Sequence, residues 1–317
     1  MREILYRAGQ VFVSRILKYT SARGISLLAT PSVDMASIGD LLLPSFQIQP
    51  DIGLISQILK GKRFCLNGGE NEDDIDSTGS ADSAKDIRMF WEPARLQHLT
   101  YLLASISERM DAASASFVKQ SAVSMALEWL EGNPFPLGPH YMSAMECGLR
   151  IPVFFYCLKA VDDPRSPAVE ALLDAIYRHA WWVEKRLSLY SSLGNHTICE
   201  CVGLVFAGAV FRNTKEGGRW LSRGLKTLRQ EIHHQVLEDG GPAEQSIGYH
   251  RFVLDLYWLT VDFLERNAIA ECVDLKARLR RGERFLAAFE DFGGSLPSIG
   301  DSDDGHAIAP RVYPKRG

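Results

Sequence analysis

The sequence predicts an all-α protein built as a ring or solenoid of antiparallel helical hairpins. Three observations carry that expectation. Beyond about residue 86, apolar residues recur at three- and four-residue spacing, strand-like alternation is almost absent, and the breaks between periodic segments are short. Long helices joined by short loops place neighbours antiparallel, and so many pairs in succession outgrow a four-helix bundle. No fixed-length repeat is visible, so a regular repeat array is the weaker form of the same idea.

The elements follow in order. The opening segment, MREILYRAGQVFVSRILKYT, has its apolar stretch interrupted by Arg15 and Lys18, which suits an amphipathic helix or ordered arm and not a signal peptide. Residues 1–87 read as an irregular N-terminal region, with an acidic Gly/Ser-rich surface loop at about 66–87. The helical body is expected over 88–300. Its helices centre on Trp91 to Leu103, Val118 to Leu130, Leu149 to Leu158 and Val169 to Trp181. A buried helix over Val202 to Phe211 follows, then Leu221 to Ile232, Phe252 to Leu259 and Leu275 to Phe289. The expected breaks are Gly132-Asn133-Pro134, Asp162-Asp163-Pro164, Gly217-Gly218, Asp239-Gly240-Gly241-Pro242 and Gly293-Gly294. Residues 301–317 are expected to lead out of the body.

The 317 residues, 46% hydrophobic and 23% charged, supply an ordinary globular core. A net charge of -4 gives no support to a nucleic-acid partner, although a cleft that gathers basic residues can still bind an acidic polymer. No apolar run approaches the roughly 18 residues of a membrane span. The cysteines, at 65, 147, 157, 199, 201 and 272, lack the spacing of a disulfide framework. Cys199 and Cys201 face different ways on a helix, so buried thiols are expected and no metal site.

Three constellations place polar residues where a plain core has no use for them. In Gly194-Asn195-His196-Thr197-Ile198-Cys199-Glu200, Asn195 suits an N-cap, and His196 and Glu200 share a helical face, where the carboxylate could orient the imidazole. In Asp239-Gly240-Gly241-Pro242-Ala243-Glu244-Gln245-Ser246-Ile247-Gly248-Tyr249-His250-Arg251, hydrogen-bonding groups crowd a tyrosine, and cationic neighbours would suit it to proton transfer. Trp91, Glu92, Arg95 and His98, with Glu146 and Arg150, mix aromatic and charged groups as sugar binding requires, yet Glu146 and Arg150 are also spaced as an ordinary helical ion pair. Each alone has a structural explanation: a cap, a satisfied histidine, a solvated loop.

Taken together and in order, these stretches resemble the signature of heparinase II/III-type polysaccharide lyases, joined by Asn133-Pro134, Gly138, Ser143-Ala144-Met145-Glu146 and Gly300-Asp301-Ser302-Asp303-Asp304-Gly305. The resemblance covers roughly residues 88 to 306. It implies an incomplete α/α toroid, followed in the family by a β-sandwich, and β-elimination on a uronic-acid-containing anionic polysaccharide. Asn195 and His196 would neutralise the uronate carboxylate, Tyr249 would move the proton, and Glu200 would orient His196. Gln245, His250 and Arg251 would support them, and Trp91, Glu92, Arg95, His98, Glu146 and Arg150 would bind substrate. The helical domain itself is expected to need no cofactor.

The sequence also departs from the family pattern. The chain ends at Gly317, where the sandwich, with a further catalytic histidine and in some members a structural metal, is expected to begin and is absent. Tyr141 stands where tryptophan is frequent, and His306 where arginine is common. The family acts mostly in the periplasm or outside the cell, although no export signal is seen here. The Asp301-to-Gly305 run lacks the later bidentate glutamate of a calcium loop and reads as a structural turn. Two other functions stay open: a non-catalytic glycan-binding or polysaccharide-assembly protein, and a glycoside hydrolase using two of Glu146, Glu244 and Asp301.

Overall fold

The computed structural model describes residues 2–21, 28–61, 87–190, 193–292, 295–301 and 305–316. The acidic loop, Cys65, the Gly293-Gly294 break and the centre of the Asp301-to-Gly305 run lie outside them. The helices are α1 (Arg2–Ser21), α2 (Met35–Gly39), α3 (Ile52–Leu59), α4 (Arg88–Trp91), α5 (Gln97–Ala104), α6 (Ala112–Gly132), α7 (Ala144–Ala160), α8 (Pro167–Arg186), α9 (Asn195–Val210), α10 (Lys215–Gln235), α11 (Ile247–Arg266) and α12 (Val273–Ala287). Two short strands, β1 (Phe46–Ile48) and β2 (Val312–Pro314), pair antiparallel. The expected hairpin ring is the observed architecture, an α/α toroid.

Alternate helices have different faces because they occupy different layers. In α10 the buried residues Gly217, Trp220, Gly224, Leu228 and Ile232 recur every three or four positions, the single apolar stripe of an outer helix. In α9 every residue except His196 is buried, as befits a helix enclosed on all sides. Helices α7 and α11 are buried almost as completely. Stacking of Phe206 on Phe263, with ring centroids 4.1 Å apart, joins α9 to α11, and Phe155 of α7 packs edge-on against both.

The inner helices run parallel and nearly touch. A Cβ on Gly148 would stand 2.7 Å from the Cys199 carbonyl, and one on Gly203 would stand 2.7 Å from the Gly148 carbonyl. The matching order of these contacts, 148 with 199 and 151 with 203, sets α7 and α9 in the same direction. Their N-termini therefore open on one rim of the ring. The other end is covered: Lys159 at the end of α7 donates to the carbonyls of Ile38 and Gly39, and Asn267 beyond α11 bonds the backbone of Leu42.

The N-terminal region packs onto the helical body, since Leu17, Ile38, Leu41 and Ile58 belong to the same apolar core. The segment after residue 300 also turns back to it. Strand β2 returns to β1, and Arg316 binds Asp255 at 2.9 Å and Glu283 at 2.7 Å, clamping the tail to α11 and α12.

Gly217-Gly218, expected as a break, lies inside the first turns of α10, which Thr214 caps by accepting from the Gly217 amide at 3.0 Å. The glycine is needed for packing and not for turning: a Cβ on Gly217 would fall 2.0 Å from the Phe211 carbonyl, while one on Gly218 would meet nothing. Chemical denaturation should therefore separate the neighbours. Gly217→Ala should destabilise by about 1–3 kcal/mol through overpacking, and Gly218→Ala should stabilise by up to about 1 kcal/mol through helix propensity. Equal shifts would contradict this packing.

Candidate active site

The open rim carries the polar motifs. Asn195 is not the N-cap of α9; Gly194 is, and it has no side chain to offer. The missing cap comes from the next hairpin. Glu244 accepts from the Asn195 backbone N–H at 2.7 Å with one carboxylate oxygen and from the Asn195 side-chain amide at 2.9 Å with the other. An acid beside a helix N-terminus is favourable, and here it also fixes the carboxamide rotamer. Gly194 makes the approach possible, because at φ 139° a Cβ there would sit 2.3 Å from the Glu244 carboxylate. His196 follows as the only residue of α9 that reaches the surface.

Tyr249 enters from the first turn of α11. Ser246 caps that helix by accepting from the Tyr249 N–H at 3.1 Å, while its own hydroxyl donates to the carbonyl of Asp301. The Tyr249 hydroxyl donates to the Asp301 carboxylate at 3.3 Å. An acid therefore stands beside the hydroxyl. The Arg251 guanidinium instead pairs with Asp255 at 3.7 Å and lies over the Tyr313 ring. His250 is buried against Phe285, and burial lowers its pKa to about 4, so it stays neutral and structural. Gln245, with φ 53°, is an exposed corner of the loop.

Beneath the rim lies a buried charge layer that sequence spacing misread. Glu146 pairs with Arg95 and not with Arg150: two parallel bonds of 2.9 and 2.8 Å join the carboxylate to the Arg95 guanidinium. Burial alone would raise the Glu146 pKa, but Arg95, Arg150 and His196 together hold it below the ordinary value. The effect of His196 places its ring within electrostatic reach of this carboxylate. Arg150 is wholly buried, donating to His179 at 3.2 Å and lying over the rings of Trp129 and Tyr141. His179 is kept neutral by burial, then by Arg150; its other nitrogen meets the Ala175 carbonyl at 2.8 Å.

Arg95, His98, Glu146 and Arg150, expected along the substrate path, are all buried beneath the rim. Long polar side chains on helices near a motif look alike in sequence whether they point out or in. Tyr141 is also buried, its hydroxyl donating to the Asn133 carbonyl at 2.7 Å, whereas His306 is exposed. Five cysteines, Cys147, Cys157, Cys199, Cys201 and Cys272, are buried free thiols. Trp91 and Glu92 remain half-open, and the Trp91 indole donates to the Pro139 carbonyl at 3.0 Å.

Glu200 has a different task from the one expected. Both of its oxygens bond Ser188, at 2.6 Å to the N–H and 2.7 Å to the hydroxyl, so it ties down the loop before α9 instead of orienting His196. Helical spacing put the two residues on one face, but the short Glu200 side chain turns to the nearer loop. That loop walls a cleft lined by Trp91, Ser143, Arg186, Tyr190 and His196, with Tyr6 from α1. Glu244, Asp301, Ser188 and Arg186 are the site residues that sequence reading did not assign to these roles. A capless glycine ahead of Asn195 was the one available signal for a partner such as Glu244.

A helical ring with this rim defines a class, and comparison with known proteins defines it further. The chain superposes on a crystal structure of heparinase III with a TM-score of 0.61, over 95% of this chain and 48% of that one, at 18% identity. Heparan sulfate lyase HepC from Pedobacter heparinus gives 0.52 over 78% and 40%, at 19% identity. A heparin-sulfate lyase of Bacteroides thetaiotaomicron is 25% identical over 167 residues, 50% of this chain and 22% of the relative. One from Bacteroides stercoris is 35% identical over 71 residues, 22% of this chain and 11% of the relative. The model of the heparinase II/III N-terminus matches residues 108–313. The chain belongs to the heparinase II/III family. It spans about half the length of the solved relatives.

Two measurements test this geometry. Glu244→Ala should cost about 1–3 kcal/mol in chemical denaturation, the usual worth of hydrogen bonds to a charged group; unchanged stability would remove Glu244 from its capping role. Glu200 gives a pH signature. Burial pushes its pKa from 4.5 up to about 8, against the lowering by Ser188 and Arg186. The folded state therefore keeps a proton that the unfolded chain releases, and the stability it contributes is full below pH 4.5 and lost as pH rises through about 8. Thermal midpoints should fall more steeply over that window in the wild-type chain than in Glu200→Gln; identical slopes would contradict the assignment.

Proposed function

We propose that the rim at the N-termini of α7, α9 and α11 binds a uronate residue of an anionic polysaccharide and performs a β-elimination on it. One observation carries the reading: the single open residue of an otherwise buried helix is His196, beside an Asn195 whose amide is fixed from the neighbouring hairpin. A carboxamide held this way keeps an N–H to donate, and an imidazole beside it can donate a second bond to a carboxylate. The inner-helix N-termini add their partial positive charge, roughly half a unit each.

The chemistry follows from that charge. A C5–H bond is weakly acidic while the adjacent carboxylate is negative. Hydrogen bonds from Asn195 and His196 to both carboxylate oxygens stabilise the enolate-like intermediate that forms as the C5 proton leaves. The electron pair then makes the C4–C5 double bond as the C4–O4 bond breaks, and O4 takes up a proton. Tyr249, on its own helix end, is the group suited to move these protons, with Asp301 orienting its hydroxyl in the free protein. The proton transfers ask for no cofactor from these helices. The names of the relatives make heparin-sulfate-type glycans the first substrates to try, followed by alginate and bacterial exopolysaccharides.

The hydrolase reading has less support. Glu146 is closed in its ion pair with Arg95, and both oxygens of Glu244 are committed to Asn195. Neither is disposed as the free acid or base that hydrolysis of a glycosidic bond needs.

Incubation with uronate polymers should produce the ultraviolet absorbance of a 4,5-unsaturated uronate. Tyr249→Phe should lower that rate by about 100-fold or more, the usual scale of lost acid–base catalysis, with little change in glycan binding by calorimetry. Tight binding of uronate glycans with no unsaturated product would refute turnover and leave a glycan-binding module.

A further inference from the structure

Arg186 belongs to none of the sequence motifs, yet it stands on the wall of the cleft that runs from His196 toward α1. Its guanidinium donates to the Met142 carbonyl at 2.9 Å and to the Ser14 hydroxyl at 3.1 Å, and stacks over the Trp182 ring at 4.8 Å. Among the described residues it forms no ion pair with a carboxylate. Two of its five N–H groups are used in those bonds, which leaves three donors on a group held rigid by stacking. Around it the cleft offers the aromatic rings of Trp91, Tyr6 and Tyr190, with Tyr6 and Tyr190 packed edge-on at 5.6 Å. Helix α1 is fastened there by the Tyr6 hydroxyl on the Leu187 carbonyl at 2.8 Å.

We propose that this cleft is a subsite for the sugar next to the reacting uronate, and that Arg186 selects for an oxyanion substituent, sulfate or carboxylate, on that sugar. The proposal rests on the uronate reading of the rim and extends it. Aromatic walls present flat apolar faces to a pyranose ring, and a fixed guanidinium matches the geometry of a bidentate oxyanion. Glu200 is the carboxylate whose charge acts on Arg186, and burial pushes its pKa up to about 8, which weakens its compensation of the cation near neutral pH. His196 itself lines the cleft, so a chain gripped at the rim would send its next residue into it.

The test uses the full chain with Tyr249→Phe, to prevent turnover, and calorimetric titration with three hexasaccharides. One alternates glucuronate with N-acetylglucosamine, the second is its N-sulfated counterpart, and the third is an oligomannuronate with a carboxylate on every sugar. Arg186→Met keeps the packing on Trp182 and removes the charge. It should weaken binding about tenfold or more for the anion-bearing ligand or ligands that the parent prefers, about the worth of one charge-assisted bond, and less than about threefold for the unsulfated alternating glycan. Arg186→Lys should restore part of the loss, and which ligand suffers identifies sulfate or carboxylate as the group read. An equal loss on all three, or none with an unchanged thermal midpoint, would overturn the subsite while leaving the rim intact. Failure of the parent to bind any of the three would overturn the uronate reading and the subsite with it.

Discussion

The rim of this protein depends on one contact, the Glu244 carboxylate closing over the N-terminus of α9. Helix α9 begins at a glycine, without a cap of its own, and is then buried for its whole length except at His196. An uncapped N-terminus would leave backbone N–H groups without acceptors at the edge of a large apolar core. Glu244 supplies an acceptor across the hairpin boundary and at the same time turns the Asn195 amide to a fixed orientation. Because Glu244 and the Ser246 cap of α11 share one loop, the same eight residues from Asp239 to Ser246 align the two helices that carry Asn195, His196 and Tyr249. Structural capping and site geometry are a single constraint here.

The second constraint is charge kept under the rim. Burying Arg95, Glu146 and Arg150 is costly, and such groups are tolerated only with close partners. The paired bonds between Arg95 and Glu146, and the neutral His179 beside Arg150, provide them. This layer joins the segment around Trp91 to α7 and lies within electrostatic reach of His196. Uncovered at the surface, by contrast, are His196, the half-buried Tyr249 and, along the cleft, Arg186. Arg95 and Arg150 closed in the layer, with Arg186 standing along the cleft, make an acidic protein with a net charge of -4 compatible with an anionic ligand.

Much of this was legible in the sequence, for physical reasons. The outer helices, buried on one face, write their period into the chain, as α10 does, while the largely apolar runs of α7, α9 and α11 mark helices enclosed by their neighbours. The order of the polar motifs points to the family on its own. What the sequence did not carry was direction. Glu146 and Arg150, four apart on α7, look like partners, yet Arg95 from the turn after α4 outcompetes Arg150 with a bidentate geometry. Glu200 and His196 share a face, yet Ser188 is the nearer donor. Gly217-Gly218 has the composition of a turn, but close packing on Phe211 explains the first glycine and nothing in the packing demands the second. Long-range partners such as Glu244 with Asn195, or Asp301 with Tyr249, leave no local period to read.

The central claim is that Asn195, held by Glu244, binds a uronate carboxylate. Nuclear magnetic resonance of the Asn195 side-chain amide, assigned through an Asn195→Ala variant, tests it directly during titration with a uronate oligosaccharide. The account predicts a saturable shift of one amide proton to lower field, consistent with a new bond to a carboxylate, and no such shift when the uronate is reduced to the neutral sugar. An unmoved amide at saturation, or an equal response to the reduced sugar, would contradict it.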